Sequence, residues 1–212
     1  MNAKNFDKLM QEQICGILNG GKKPRLLLHC CCAPCSSACL ERLREFFEIT
    51  VLFYNPNIES GEYGRRKDEL KRLLTETGWA DFLDCDHDEG EFYRAVKGVE
   101  DCAEGGERCE KCFELRLGRT AELADRGGYD YFATTLTISP LKNAETINRI
   151  GKSAEKKAKW LYSDFKKRNG YLQSIKLSQK HNLYRQNYCG CVFSRREAEK
   201  RALDGDENGA RG

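Results

Sequence analysis

The sequence contains no run that approaches the roughly 20 consecutive apolar residues of a membrane-spanning helix. Its first segment, MNAKNFDKLM, has neither a long apolar core nor a cleavage site, so it does not resemble a secretory leader. These absences exclude a transmembrane protein and predict that the chain stays in the cytoplasm. An excess of one sign of charge is also lacking, since 36 residues are basic and 33 are acidic. This balance neither requires nor excludes a nucleic-acid partner.

Internal repeats are absent, and the only low-complexity segment is the polar end, DGDENGARG at 204–212, which we predict to be disordered. The 212 residues, of which 40% are hydrophobic, suffice for one core of ordinary size. We expect four parts: an N-terminal helical extension at 1–22, an α/β metal-binding catalytic domain at 23–163, a C-terminal segment at 164–203 whose CGC motif completes the site, and the tail at 204–212.

Short apolar runs alternate with amphipathic segments through most of the chain. The predicted strands are 25–29, 49–57, 81–86 and 129–135, and the predicted helices are 5–19, a segment around Leu40 and Leu43, 61–78, 88–97, 109–126, 143–158 and 171–181. This alternation indicates βαβ units and therefore a three-layer α/β fold with a parallel sheet between helices. Loops at the carboxyl ends of the strands are then expected to form the functional site.

Cysteine is abundant and clustered, with 12 in the chain. In an intracellular protein with a normal core, such cysteines more often hold a metal or perform redox chemistry than form a disulfide framework. Five of them have no partner at ligand spacing, and we interpret these as structural thiols. They are Cys15, Cys30, Cys39, Cys85 and Cys102.

The first cysteine motif, HCCCAPC at 29–35, lies where the first predicted strand turns into a helix. A helix start offers free backbone amides and a positive dipole end, which favour thiolates. The adjacent Cys31 and Cys32 do not easily chelate one ion, but in a bent loop both can reach a polynuclear cluster. His29, at the end of an apolar strand, is predicted to be a hydrogen-bonded core residue.

The second motif is CEKC, in which Cys109 and Cys112 share one face of a predicted helix. Together the two motifs supply four thiolates, which suit either tetrahedral zinc or an iron–sulfur cluster. The contiguous cysteine pair favours iron–sulfur, because structural zinc usually has two CxxC-type knuckles.

The third motif, CGC, places Cys189 and Cys191 on either side of a glycine that allows a sharp bend. A disulfide between them would be strained and easily reduced. The pair is therefore a dithiol electron relay, a pair of metal ligands, or two buried thiols, and the spacing leaves these alternatives open.

Several polar residues are candidates for substrate binding. Hydroxyl and amide groups that follow the strand at 129–135 could contact a ribose or a base edge, although ordinary helix capping explains them equally well. These are Thr134, Thr135, Ser139 and Asn143. Arg185 and Gln186, beside the CGC motif, could contact phosphate or base, and the neighbouring tyrosines suit base stacking.

Taken in order, these motifs resemble one family, the cobalamin-independent epoxyqueuosine reductases (QueH). The resemblance covers about 25–195 and rests on CCAPC at 31–35, YNPNI at 54–58, Tyr63 with Arg65 and Arg66, RCEKC at 108–112, TTL at 134–136, SP at 139–140, KN at 142–143, and YRQNYCGCVFS at 184–194. The resemblance implies nothing about the residues before and after this span.

The resemblance implies a HUP-like α/β fold, related to the ATP-pyrophosphatase enzymes that modify tRNA. It implies removal of an epoxide from epoxyqueuosine at the wobble position of a tRNA with a GUN anticodon, the last step of queuosine synthesis. The expected cofactor is a 4Fe–4S cluster held by Cys31, Cys32, Cys109 and Cys112, with an adjacent mononuclear iron as a further option.

Three further expectations concern the second iron, the substrate and the supply of electrons. Some members of the family have Asp at the position of Cys35, so a second-iron ligand at this position would differ in this chain. Tyr54 and Asn55 join the expected substrate-binding residues. Removal of an epoxide oxygen takes two electrons, so an external electron donor is required. Our hypothesis is that Cys35 lies beside the cluster as a ligand of the second iron, and that Cys189 and Cys191 supply or relay reducing equivalents.

Two other classes of function compete with this interpretation. A zinc-stabilised RNA-binding module would use the same four thiolates without redox chemistry. An ATP-dependent tRNA thiolase of related fold would need an SGGxDS-like phosphate loop after the first strand, and this chain has HCCCAPC there instead.

Overall fold

The computed structural model describes residues 4–18 and 21–209, and these form a parallel sheet between two layers of helices. The strands are β1 (Arg25–His29), β2 (Glu48–Leu52), β3 (Asp81–Leu83), β4 (Tyr131–Thr134) and β5 (Lys159–Trp160). The helices are α1 (Phe6–Leu18), α2 (Ala33–Leu43), α3 (Ser60–Thr77), α4 (Glu89–Ala95), α5 (Glu107–Arg126), α6 (Ala144–Ala154), α7 (Gly170–Lys180) and α8 (Val192–Gly209), and a 3-10 helix spans Thr135–Ile138.

The sheet separates two apolar cores because successive side chains of its central strand point to opposite faces. In β1, Leu26 and Leu28 pack with residues of α1, α2, α3 and α7, whereas Leu27 packs with residues of α5 and α6. All three leucines are fully buried. This three-layer arrangement confirms the predicted α/β fold class.

The strand order, β3-β2-β1-β4-β5, has all neighbours parallel. Strand β2 pairs with one side of β1, and β4, which comes later in the chain, pairs with the other side. The direction in which strands are added to the sheet therefore reverses between β1 and β4, which makes this the topological switch point. Loops diverge at the carboxyl ends of such a strand pair and leave a crevice. The segments after His29 and after Thr134 both open into this crevice.

The sequence-based expectations differ from the structure mainly at element ends. The predicted strand at 49–57 ends at Leu52, and the predicted helix at 143–158 ends at Ala154. Three elements were not predicted: the two-residue strand β5, the 3-10 helix at Thr135–Ile138 and the helix α8. Helix α8 extends through the first part of the predicted disordered tail, to Gly209, and 210–212 lie outside the described residues. The division into domains stays a prediction.

Within the described residues, none of the helices is long and apolar enough to cross a membrane.

Candidate active site

The cysteine loop after β1 gathers three thiols. Helix α2 begins at Ala33 with Pro34 in its first turn, and Cys32 caps it, with its Sγ accepting from the Cys35 amide at 3.5 Å. The Sγ atoms of Cys31, Cys32 and Cys35 lie within 4.8 Å of one another, and those of Cys31 and Cys32 are 3.9 Å apart. This largely buried group can bind a metal ion or cluster.

The electrostatics of the loop favour one thiolate among the three thiols. Hydrogen bonds from Cys32 and Cys35 hold the pKa of Cys31 well below its usual value, against the effect of burial, and the charges of Arg116 and Lys142 act in the same direction. The pKa of Cys32 and that of Cys35 are raised. Since the thiolate is the metal-binding form, Cys31 is the thiol best prepared for ligation.

The second cysteine motif lies in the first turns of α5, as predicted. Cys112 is buried, and the Cys109 Sγ accepts from the Gly105 amide at 3.2 Å. Burial raises the pKa of both thiols, that of Cys112 to about 12. Both thiols line a small cavity of about 30 Å³, enough for a water molecule, together with Cys189 and Cys191.

A larger cavity of about 390 Å³ adjoins the small one. Cys31 and Cys35 line the larger cavity, and Lys142 and Cys189 line both cavities. The two cysteine motifs therefore lie on adjoining cavities at the carboxyl end of the sheet. Among the described residues, no fourth thiol lies within 4.8 Å of all three thiols of the loop, so Cys109 is separate from that compact group.

The CGC loop is held against helix α3 by a buried guanidinium. Arg66 donates to the Cys189 carbonyl at 2.8 Å, and Gly190 has a φ of +122°. A Cβ on Gly190 would lie 2.8 Å from Ile58 and 3.0 Å from the Arg66 guanidinium. Cys189 and Cys191 are free thiols, and no disulfide occurs within the described residues 4–18 and 21–209.

The five cysteines predicted to be structural all lie outside the three-thiol group. Cys30 and Cys39 are buried, Cys85 and Cys102 are partly buried, and Cys15 is exposed.

The buried Arg116 of α5 was missed in the sequence analysis. Its guanidinium is fully buried and donates to Asn55 Oδ1 at 2.6 Å, lies 3.3 Å from His29 Nε2, and contacts Cys112 Sγ at 3.8 Å. His29 was predicted to be a hydrogen-bonded core residue, and the structure confirms this. It is fully buried, and its Nδ1 lies 2.8 Å from Thr134 Oγ1. The signal for Arg116 was its spacing of one helical turn from Cys112.

The polar residues after β4 form caps within the fold. Thr134 Oγ1 accepts from the Leu136 amide, Asn143 Oδ1 accepts from the first amides of α6, and Ser139 Oγ accepts from the Leu141 amide. Ser139 also lines the larger cavity and Asn143 the smaller one. Thr135 is buried, and its hydroxyl has no hydrogen-bond partner. Capping therefore accounts for three of these side chains, and their contacts with substrate stay a prediction.

The other predicted substrate-binding residues divide into two pairs. Arg185 and Gln186 line the larger cavity, where a ligand could reach them. Asn55 is buried, and its amide donates to the Cys30 carbonyl at 2.8 Å in addition to accepting from Arg116. The Tyr54 hydroxyl donates to Glu91. Neither Tyr54 nor Asn55 lines the two cavities, and their roles as substrate ligands stay a prediction.

Two more residues of the site were missed in the sequence analysis. Lys142 lines both cavities, and Asn57 lines the smaller one with an Oδ1 that is buried and has no hydrogen-bond partner. Burial opposes the charge on Lys142, but the nearby thiols Cys189, Cys31 and Cys35 outweigh it and raise the pKa of Lys142. Both residues belong to motifs noted above, KN and YNPNI, but only the folded loops bring them to the thiols.

This arrangement defines an α/β protein of HUP-like architecture with a thiol-lined candidate metal site at the switch point of its sheet. A family model described as epoxyqueuosine reductase QueH matches residues 26–197. A protein named epoxyqueuosine reductase QueH from Streptococcus pyogenes serotype M1 is 44% identical over 198 residues, 90% of this chain and 78% of the relative. The chain belongs to the epoxyqueuosine reductase QueH family, whose members are oxidoreductases.

Other relatives of the same name come from other organisms. The Staphylococcus epidermidis protein is 39% identical over 210 residues, 94% of this chain and 87% of the relative. The Thermotoga maritima protein is 38% identical over 182 residues, 80% of this chain and 89% of the relative.

Proposed function

We propose that this protein reduces epoxyqueuosine to queuosine at the wobble position of tRNA, with electrons that pass through an iron–sulfur cluster. The observation that carries the proposal is the convergence of buried and partly buried thiols from 31–35 and 109–112 on adjoining cavities. The names of the relatives supply the substrate and the reaction type.

The donor set fits a 4Fe–4S cluster. Cys31, Cys32, Cys109 and Cys112 would hold it, and Cys35, at the edge of the larger cavity, would serve an adjacent iron. A cluster lies between its thiolates and so accommodates sulfurs from two loops that do not all lie within 4.8 Å of one another. When bound, the cluster supplies single electrons to the substrate.

The chemistry requires protons as well as electrons. Conversion of an epoxide into an alkene consumes two electrons and two protons and releases the oxygen as water. Lys142 holds a proton at Nζ, half-buried beside the cavity that contains Cys31 and Cys35. Its ammonium can donate this proton to the departing oxygen or stabilise the negative charge that develops there.

The CGC dithiol can supply the same number of electrons and protons that this reaction consumes. Oxidation of Cys189 and Cys191 to a disulfide releases two electrons and two protons, the number that one turnover consumes. Both thiols are free, and Cys189 lies on both cavities. An external electron donor would then reduce the disulfide and restore the dithiol.

The larger cavity suits a nucleoside extruded from an anticodon loop. Its volume of about 390 Å³ lies within the usual range of small-ligand sites. Tyr188 offers a stacking face, and Arg185 and Gln186 offer hydrogen-bond donors. Reaction at a modified base requires that the base leave the stack, and a wobble base in a single-stranded loop does so readily. A tRNA with a GUN anticodon would place the enzyme in the cytoplasm.

Anaerobic purification, iron and sulfide analysis, and turnover of epoxyqueuosine-containing tRNA test the proposal together. We expect about four iron and four sulfide per chain or slightly more iron, a broad absorption band near about 400 nm, and conversion to queuosine with a low-potential reductant. A protein without iron that is unable to convert the modified tRNA would refute it.

The alternative of a zinc-stabilised RNA-binding module is favoured by one distance. Thiolates on a single tetrahedral zinc lie about 3.8 Å apart, from a Zn–S length of about 2.3 Å, and the sulfurs of Cys31 and Cys32 are 3.9 Å apart. This module would be colourless, would contain about one zinc per chain, and would bind the tRNA without changing the modified base.

A further inference from the structure

Arg116 carries a permanent positive charge into the interior of the protein. Its side chain has no exposed surface, and the guanidinium is always protonated under ordinary conditions. Removal of a charge from water is unfavourable unless an anion or a set of hydrogen bonds compensates it. The position of Arg116 therefore requires a compensating partner.

Other buried arginines of this protein have a carboxylate partner. Arg66 pairs with Glu62 at 2.6 Å, and Arg108 pairs with Glu197 at 2.8 Å. Within the part of the chain that the structure describes, no carboxylate lies within ion-pair distance of Arg116. Its charge is thus compensated differently from the charges of these two.

The groups that surround the Arg116 guanidinium are neutral side chains and thiols. Asn55 accepts one hydrogen bond, and His29 Nε2 lies 3.3 Å from the guanidinium and 3.0 Å from the Tyr54 carbonyl oxygen. The anion-forming groups nearby are thiols of the candidate metal site: Cys112 is in contact at 3.8 Å, and Cys31 and Cys189 are close enough for the charge of Arg116 to interact with them.

We propose that the Arg116 guanidinium is a fixed counter-charge for the thiolate-held iron–sulfur cluster and raises the cluster's reduction potential. This inference rests on the function proposed above, since it requires a cluster between the two cysteine motifs. Arg116 therefore acts on the cluster through its charge and is a positioning residue. It does not touch the larger cavity, which is lined by other side chains.

The direction of the effect follows from Coulomb's law. Reduction adds one negative charge to the cluster, and a cation a few ångströms away stabilises the reduced form more than the oxidised form. Salt and water screen such an interaction weakly, because Arg116 has no contact with solvent. Burial, net charge and hydrogen bonds to the sulfur ligands are the means by which proteins set cluster potentials.

Three variants separate the charge of Arg116 from its hydrogen bonds. Arg116→Gln removes the charge and keeps an amide that can donate to Asn55, whereas Arg116→Lys keeps the charge. Arg119→Gln is the matched control on the same helix, because Arg119 is partly exposed and pairs with Glu122 at 3.0 Å. Each anaerobically purified protein is analysed for iron and sulfide, and its midpoint potential is measured by redox titration followed by electron paramagnetic resonance.

We expect the midpoint potential of Arg116→Gln to shift to more negative values at unchanged iron content, while Arg116→Lys and Arg119→Gln stay close to wild type. A wild-type potential in a fully loaded Arg116→Gln protein overturns the inference and leaves the proposed function intact. Wild-type protein without a cluster overturns both. If Arg116→Gln does not load iron but Arg116→Lys does, the result supports the counter-charge. If neither variant loads iron, Arg116 has a structural role and the inference is overturned.

Discussion

Lys142 and Cys189 line both cavities of the candidate active site, so one ammonium and one thiol connect the two cysteine motifs. The ammonium has no hydrogen-bond partner on Nζ within the described residues. A charged group that is left free beside a cavity is available to a ligand. This pairing of an acid with a thiol at the boundary between the cavities motivates the first two predictions.

Substitution of Lys142 by Met should slow reduction of the modified tRNA by about 100-fold or more, because a positioned proton donor contributes on the order of 10² to 10⁴ in rate. Single-turnover assays with prereduced enzyme measure this step. Lys97→Met is the control, since Lys97 is exposed and lies outside both cavities. Iron content should be unchanged, and wild-type single-turnover rates in Lys142→Met would remove Lys142 from the reaction.

Replacement of both Cys189 and Cys191 by Ser should lower multiple turnover and leave metal content unchanged. The dithiol can supply two electrons together, whereas its removal leaves only single-electron delivery. Cys102→Ser is the matched control, because Cys102 is partly buried but lies outside the cavities. Full multiple-turnover activity of the double variant with an external reductant would exclude the relay.

Loss of a cluster ligand should appear directly as loss of iron. Cys31→Ser and Cys109→Ser each remove one thiolate from the proposed set, so we expect a large fall in iron and sulfide and in the band near about 400 nm. Cys39→Ser tests specificity, since Cys39 is buried in α2 and its pKa is raised by burial. Full iron in Cys109→Ser would show that the second motif is not a ligand.

The predictions from sequence succeeded where local pattern decides the structure. RLLLH is a buried central strand at the residues expected, because four of its five residues are buried on a sheet covered on both faces. The strand Lys159–Trp160 was missed, since two residues cannot show a periodic pattern. The role of Lys142 was also missed, because it depends on how the loop after β4 meets the CGC loop across the crevice.

Gly190→Ala should destabilise the CGC loop, since its φ of +122° disfavours a side chain and the new Cβ would lie 2.8 Å from Ile58. Backbone strain of this kind costs about 1–3 kcal/mol. Gly118→Ala is the control: it lies in α5 with open space around it and should stabilise the protein by about 0.5–1 kcal/mol. Urea unfolding of both variants measures the difference, and equal stabilities would contradict the assigned loop geometry.

Arg185→Ala should weaken binding of the tRNA more than it slows the reaction. Arg185 lines the larger cavity, and its guanidinium donates to Ser178 Oγ at 3.0 Å, which fixes its direction. Loss of one charge-assisted contact of about 1.4 kcal/mol raises KM about tenfold, and kcat should change little because Arg185 is separate from the proposed proton donor. Steady-state kinetics at two salt concentrations measure both parameters. Arg126→Ala is the control, since Arg126 pairs with Glu122 at the far end of α5. An unchanged KM in Arg185→Ala, or an equal rise in Arg126→Ala, would place the tRNA elsewhere on the protein.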